Sequence, residues 1–333
     1  LRRRRRGDGG VAGGGCLARA RWSPRNGTAS AKPQVADEPS TPSTPSPIHS
    51  RRAALHFVTT TTLLLPTAFV AASEAAPSAS GGATEWGYAD SANGPLAWGA
   101  LKNPDGALAY PDCACTACAQ SPINLLSSPG SDAMRAGSLG DRTVRSGRPL
   151  DLRVAQKHGT PNFTCAETSA ETYNAVVADG RTYRFVSLHF HTPAENTVDG
   201  IAYPMEMHLV HLAEDGSGAI AVLGVLFEYA TPGNPADETV AELLTHIDGG
   251  GGAEELVRIR PGGLFDDTSG YYQWSGSLTT PPCTGGVYWM LQRKIRRVSA
   301  EQCEAFRQHV GTFPGNARPT QALNGRAVRI YEP

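Results

Sequence analysis

Residues 187–212 read SLHFHTPAENTVDGIAYPMEMHLVHL, and the hydrophobic pattern changes twice along them. Residues 188–191 alternate apolar and polar, residues 206–212 do so more loosely, and Thr192–Pro193 and Asp199–Gly200 supply turn chemistry between them. The pattern predicts two β-strands that return antiparallel to each other. Side chains alternate faces along a strand, so His189 and His191 point the same way, about 7 Å apart. On the second strand Glu206, His208 and Val210 share one face, while Met207, Leu209 and His211 share the other. Neighbouring strands lie about 4.8 Å apart, so His208 meets the first pair across the ladder.

The same reading extends over the chain. Residues 184–188, 207–212 and 220–229 are strand-like, and the last, IAVLGVLFEY, is nearly continuous apolar, as a central strand requires. Two helices are predicted. One begins at Pro235 after Asn234, carries Val240, Leu243, Leu244 and Ile247 on its apolar face, and stops at Gly249. The other opens with a capping box, Ser299 with Gln302 three residues on, and ends at Gly311. Cys303, Phe306 and Val310 form its buried stripe, which makes Cys303 a core residue rather than a reactive one. No internal repeat is evident, and strands outweigh helices.

Three neutral imidazoles converging on one point make three corners of a tetrahedron, the pattern of an open zinc site with one position left for water. A lone strand histidine is ordinarily a core or surface residue. The third histidine and the acids beside it give the set its meaning. HFH followed by ENTVDG and MEMHLVH is similar to the signature of the α-class carbonic anhydrases, and the resemblance runs from about Trp86 to Glu332.

That resemblance implies a single, mainly β domain over residues 76–333, with few short helices. It would be built around a large twisted, mostly antiparallel β-sheet with a central zinc cleft. It implies that His189, His191 and His208 bind Zn2+ and that Glu206 orients the third ligand. Glu195 belongs to the catalytic hydrogen-bond network. The expected reaction is reversible hydration of carbon dioxide to bicarbonate and a proton. In YYQWSGSLTTPPCTGGVYW (residues 271–289) the family's pattern makes Thr279 accept a hydrogen bond from the attacking hydroxide and donate one to Glu195. Thr280 helps seat the substrate, and Leu278, Val210, Val222, Val287 and Trp289 match the apolar wall for CO2. His158, 31 positions before His189 in KHGT, matches a proton-relaying histidine, although Lys157 stands where the family commonly has glycine. Tyr88 matches a tyrosine at the mouth of the site, and QSPINL (residues 120–125) and Arg318 in NARPTQ are expected to be structural. The chain departs from the common pattern at Trp274, usually tyrosine, at Thr192, usually tryptophan, and at Ser187, usually a glutamine beside the first ligand.

Two other readings compete. A non-catalytic carbonic-anhydrase-like binding module would lack one or more of the histidines, and all three are present. A structural zinc site needs a fourth protein ligand, and alternation places the one nearby candidate, His211, on the opposite face.

Charge and cysteines bear on where the protein works. Residues 1–75 hold 11 of the 30 Lys and Arg but 4 of the 31 Asp and Glu, so the remainder is net acidic and implies no nucleic-acid surface. Residues 2–50 are rich in Arg, Ser, Pro and Gly and read as an organelle transit peptide or plain disorder. Arg51–Arg52, an apolar run over 53–72 and small residues through Ala76 have the three parts of a cleavable twin-arginine-like signal. The Thr59–Thr62 run and Pro66 weaken a permanent membrane span. A thylakoid-lumen address of a chloroplast is expected, with secretion or the periplasm as the alternative. Seven cysteines become six once Cys16 is removed with the leader, and in an exported protein they default to disulfides. Extracellular relatives pair a cysteine before QSP with the one after TTPP, which implies Cys115, or alternatively Cys113, with Cys283. Cys118 and Cys165 have no assignment from the sequence.

Overall fold

The apolar runs become strands of one mixed sheet, because each alternating run has a second layer to bury its inner face against. The computed structural model describes residues 84–333 apart from 90–91, 129–132, 145–148, 167–174, 248–255 and 313. The leader expected over 1–75, Cys16 within it and the Gly249 helix stop lie outside the described residues. Among those described, thirteen strands make the large sheet. Ten of them form its path: β1 Met134–Ala136, β2 Leu150–Lys157, β3 Thr160–Cys165, β4 Arg181–His191, β5 Met205–Ala213, β6 Ile220–Tyr229, β7 Leu256–Ile259, β8 Tyr271–Ser277, β9 Gly285–Gln292 and β10 Arg329–Glu332. Their spatial order is β7-β2-β3-β4-β5-β6-β9-β8-β10-β1. Pairing is antiparallel except between β6 and β9, between β10 and β1, and where Arg296–Val298 joins β6. The sheet is therefore mostly antiparallel, as expected.

The two faces bury different cores. Phe190, Leu188, Met207, Leu209, Leu223 and Val225 from β4, β5 and β6 belong to the larger cluster, which also takes in both helices. The opposite face carries the site and a smaller cluster of Val222, Val287, Trp289, Trp274 and Leu291, with Val210 and Leu278 packed against it. The register shifts between Val210 and His211, whose partners on β4 are Ser187 and Phe185, so the extra residue is Val186 of β4. The alternation of β5 therefore runs unbroken, and His211 sits behind the sheet, 5.7 Å from the Phe185 ring, with Nδ1 on the Leu209 carbonyl.

Burial lowers the His211 pKa from 6.5 to about 4. Between those values the unfolded chain takes up a proton that the folded chain refuses. The histidine thus contributes stability above pH 6.5, which is lost as pH falls towards 4. The full shift of about 2.5 units corresponds to about 3 kcal/mol. Unfolding titrations at pH 7 and pH 4 should show a loss smaller by that order in His211→Ala than in the parent, and equal losses would exclude His211 as a source of acid sensitivity.

α2 (Ala300–Val310) follows the expected plan: Ser299 and Gln302 form the capping box, Gly311 closes it in the left-handed conformation, and Cys303, Phe306 and Val310 are buried. α1 is Glu238–Leu244, three residues later than expected. The Thr231–Asn234 bridge holds the preceding turn, so Pro235 stays outside the helix, and the Asp237 side chain accepts from Val240 N as the cap.

The favoured disulfide is corrected. Cys283 pairs with Cys113, and Cys115 pairs with Cys118. Pro111–Ala114 forms a 3-10 turn, so Cys113 and Cys115 do not point together as they would along an extended strand. Neither Cys165 nor Cys303 is in a disulfide. No helix among the described residues is long and apolar enough to cross a membrane.

Candidate metal centre

Register places the site in rows across the front face. One row reads Asn162 of β3, His189 of β4, His208 of β5, Gly224 of β6 and Leu291 of β9. The row two residues further along β4 pairs His191 with Glu206. The row on the other side pairs Ser187, Val210, Val222, Trp289 and Trp274 in turn. Adjacent strands and alternate residues thus bring together His189, His191 and His208, each offering one ring nitrogen, all within 4.8 Å of one another. Gly224 leaves room beside them: a Cβ there would lie 2.5 Å from Leu291 Cδ1 and 3.1 Å from Glu206 Oε1. A glycine inside a strand often marks such a close approach.

Two of the three rings are fixed from behind. Glu206, fully buried, accepts from Glu195 N at 2.9 Å and Asn196 N at 2.8 Å on one oxygen. Its other oxygen takes Asn196 Nδ2 at 2.7 Å and His208 Nε2 at 2.9 Å. That bond uses His208 Nε2 and leaves Nδ1 for the site. His191 donates from Nδ1 to the Asn316 carbonyl at 2.7 Å, which leaves its buried Nε2 without a partner. Trp289 packs edge-on against the His208 ring at 4.9 Å and donates to the Ser277 carbonyl. Burial, with the mutual repulsion of the rings, holds His189 and His208 well below the usual imidazole range, and burial lowers His191 too. All three are neutral at pH 7, with lone pairs available to a cation.

Glu195 lies over this set, with Oε2 3.5 Å from His191 Nε2 and 3.9 Å from His208 Nδ1. Its Oε1 accepts from Arg318 N at 2.9 Å. Burial pushes its carboxyl well above the ordinary value, while the Arg318 N–H and the Thr279 hydroxyl pull it back down. Thr279 is buried in the loop between β8 and β9, which is closed by Leu278 N on Thr284 O and by Cys283 N on Thr280 O. The disulfide to Cys113 and the bond from Gln120 Nε2 to the Cys283 carbonyl anchor that loop. Arg318 also donates to Gln120 Oε1 and the Ser121 carbonyl, so QSPINL and NARPTQ clamp the loop and the carboxylate together.

Other residues singled out in the sequence fall around this centre. Val210, Val222, Leu278, Val287 and Trp289 share one cluster on the site face. Trp274 stacks on Trp289 at 5.4 Å and reaches Ser121 Oγ with its indole N–H. Thr192 donates from its backbone to Asn316 Oδ1 and from its hydroxyl to the Pro204 carbonyl, a clasp in place of a large aromatic. Tyr88 is buried against Trp86 and Trp98, and after burial the Glu195 charge is the next cause raising its pKa. His158 occupies the β2–β3 turn with φ 50°, followed by Gly159. Its ring stacks on Trp86 at 4.0 Å, and that cover, then the Lys157 charge, lowers its pKa below 6.5. His211 is not part of the cluster. The sequence reading missed Asn196 and Asn316, although both lie inside motifs it had marked. Their signal was an amide side chain close to a charged one: Asn196 follows Glu195 directly, and Asn316 stands two residues before Arg318.

A mixed sheet that brings three neutral imidazoles together, under a carboxylate and a loop threonine, makes a three-histidine cluster able to hold a metal ion. The set fits zinc on the structure's own terms: inward nitrogens with free lone pairs, one of them buried and unpartnered, and no fourth protein ligand among the described residues. Comparison with known proteins agrees. The profile described as eukaryotic-type carbonic anhydrase matches residues 97–332, and the chain belongs to that family. It is 32% identical over 285 residues to a carbonic anhydrase of Neisseria gonorrhoeae, covering 81% of this chain and 95% of that one. To alpha carbonic anhydrase 4 of Arabidopsis thaliana it is 34% identical over 192 residues, which is 57% of this chain and 65% of the relative's length. Among solved structures, an α-carbonic anhydrase from Thermovibrio ammonificans, in complex with sulfanilamide, superposes with a TM-score of 0.58 at 30% identity, over 75% of this chain and all of that one.

Proposed function

We propose that the protein is a zinc-dependent carbonic anhydrase that interconverts carbon dioxide and bicarbonate. The observation that carries this reading is the convergence of His189, His191 and His208 beneath Glu195 and Thr279. His189, His191 and His208 would hold the ion, which when bound supplies Lewis-acid activation of water near neutral pH. Neutral ligands leave the cation its full charge, and that charge favours the ionised form of Glu195. An ionised Glu195 can only accept hydrogen bonds. Thr279 therefore gives its one hydroxyl proton to Glu195 and turns lone pairs towards the reacting oxygen. That oxygen's own proton is directed at Thr279, and its attacking lone pair at carbon. Val210, Val222, Leu278, Val287 and Trp289 offer CO2 an apolar wall that bicarbonate, being charged, leaves readily. Metal analysis together with a CO2-hydration assay tests the reading: about one zinc per chain with activity lost on chelation supports it. Zinc-loaded protein without hydration would favour the binding-module alternative.

His158 serves in this reading as the group that passes protons to buffer. A group with a pKa of about 7 releases protons to bulk water no faster than about 10³ s⁻¹, given a recombination limit near 10¹⁰ M⁻¹s⁻¹. Turnover above that rate requires a relay, and histidine suits the task. His158 stands in the turn that leads into β3, which pairs with β4 at His189, and that position supports His158. His158→Ala should lower kcat at low buffer while leaving kcat/KM for CO2 nearly unchanged, and added imidazole should restore part of the loss. Equal kcat in variant and parent would remove His158 from the path.

The leader composition supports export to an oxidising lumen, for which a thylakoid address is the reading favoured here. Two disulfides in the folded chain are compatible with that destination. The mature amino terminus should lie near Ala76 and Cys283 should resist labelling until reduced. An amino terminus upstream of Arg51 would count against it.

A further inference from the structure

The three rings of the metal centre are not held alike. His208 Nε2 is bonded to Glu206 at 2.9 Å and His191 Nδ1 to the Asn316 carbonyl at 2.7 Å. His189 Nδ1 is buried and finds no partner among the described residues. The ring packs edge-on against His191 at 5.0 Å and His208 at 5.3 Å, but no hydrogen bond to Nδ1 fixes where its proton sits. β5 shows what is absent on β4. Glu206 stands two residues before His208 on the same strand face, and its side chain is long enough to run back along the strand to the ring. The equivalent position on β4, two residues before His189 and on the same face, is Ser187, flanked across the ladder by Val210 and Thr164. Positions two apart on a strand are separated by about 6.5 Å, beyond the reach of a serine hydroxyl but within that of a four- or five-atom side chain. The neighbour on the other strand does not compensate: Asn162, opposite His189 in register, has its Oδ1 directed to the Thr164 hydroxyl at 3.5 Å.

We propose that His189 is the loosely held ligand of this site, that bound metal leaves by releasing His189 first, and that Ser187 is the position that determines it. The inference rests on the zinc reading above. Partners that orient a metal-bound imidazole are commonly worth 10–100-fold in metal affinity. Two ligands braced by hydrogen bonds and one without such a brace make a site whose affinity falls short of what three braced histidines give. The ion would then exchange with its surroundings faster than a fully braced site allows. Ser187 acts through His189 and is a positioning residue, not a catalytic one.

The experiment follows zinc transfer from the loaded protein to a colorimetric chelator. In Ser187→Gln, whose amide oxygen can reach His189 Nδ1–H, zinc should leave about tenfold more slowly, with the melting temperature of the metal-free protein unchanged. A rate within twofold of the parent overturns the proposal. Because residue 187 is almost fully buried, Ser187→Ala supplies an independent arm. Removing a hydroxyl that does not hold the ring should leave the zinc-loss rate within twofold of the parent. A tenfold acceleration would mean that Ser187 already braces His189, which also overturns the proposal. If the parent itself retains no zinc after equilibration with the ion and gel filtration, the zinc reading fails, a result distinct from either arm.

Discussion

His208→Ala should abolish zinc retention and, with it, CO2 hydration. His208 is fixed on both sides: Trp289 packs edge-on against its ring, and Glu206 takes its Nε2 proton. Alanine removes the best-oriented ligand and leaves the buried Glu206 carboxylate without one of its partners. Metal affinity should fall by more than the roughly 100-fold expected from losing an orienting partner alone. The informative control is His211→Ala, three residues on and behind the sheet. It should keep about one zinc per chain and near-parental activity, though at lower stability because it packs on Phe185. Metal analysis of the two variants after dialysis decides the matter. Zinc lost from His211→Ala and kept in His208→Ala would contradict the register of β4 against β5.

Thr279→Val should leave zinc in place and lower kcat/KM for CO2 by roughly 10²-fold, the size of effect seen when one preorganised donor or acceptor is removed from a reacting oxygen. Valine keeps the shape of threonine in a loop that the Cys113–Cys283 disulfide and Gln120 already hold, so the backbone has no reason to move. The change isolates one hydroxyl. Without it, Glu195 loses a hydrogen that offsets its burial, and the carboxyl rises further. The activity that remains should therefore shift to higher pH as well as fall. An unchanged kcat/KM in the zinc-loaded variant would reduce Thr279 to a packing residue.

The sheet and the clustering of the three histidines were legible because strand alternation is local. His189, His191 and His208 could be placed on one face from spacing alone, and the bulge at Val186 did not disturb this because it falls in β4, on the far side of Ser187 from the ligands. What sets those ligands was not legible. Asn316 reaches His191 from 125 residues away in sequence, and Arg318 reaches Glu195 from 123. No periodicity encodes such a contact. The disulfide partner failed for a different reason. Two cysteines separated by one residue are equivalent to any spacing rule, and the 3-10 turn at Pro111–Ala114 chooses between them. The early start expected for α1 came from giving weight to a proline over the aspartate two residues later, when the Thr231–Asn234 turn had already committed that proline.

The carbonyl of Asn316 and the amide of Arg318 belong to a segment that enters the site from near the far end of the fold. Ligands and their braces are thus made at opposite times. When the ribosome has completed β5, all three histidines exist, yet His191 lacks its acceptor and Glu195 its donor until residue 318 has emerged. A nascent chain or a fragment ending before that point would hold metal poorly whatever its sheet had achieved. The segment carrying Asn316 and Arg318 is therefore as much a part of the site as the strands that carry the histidines.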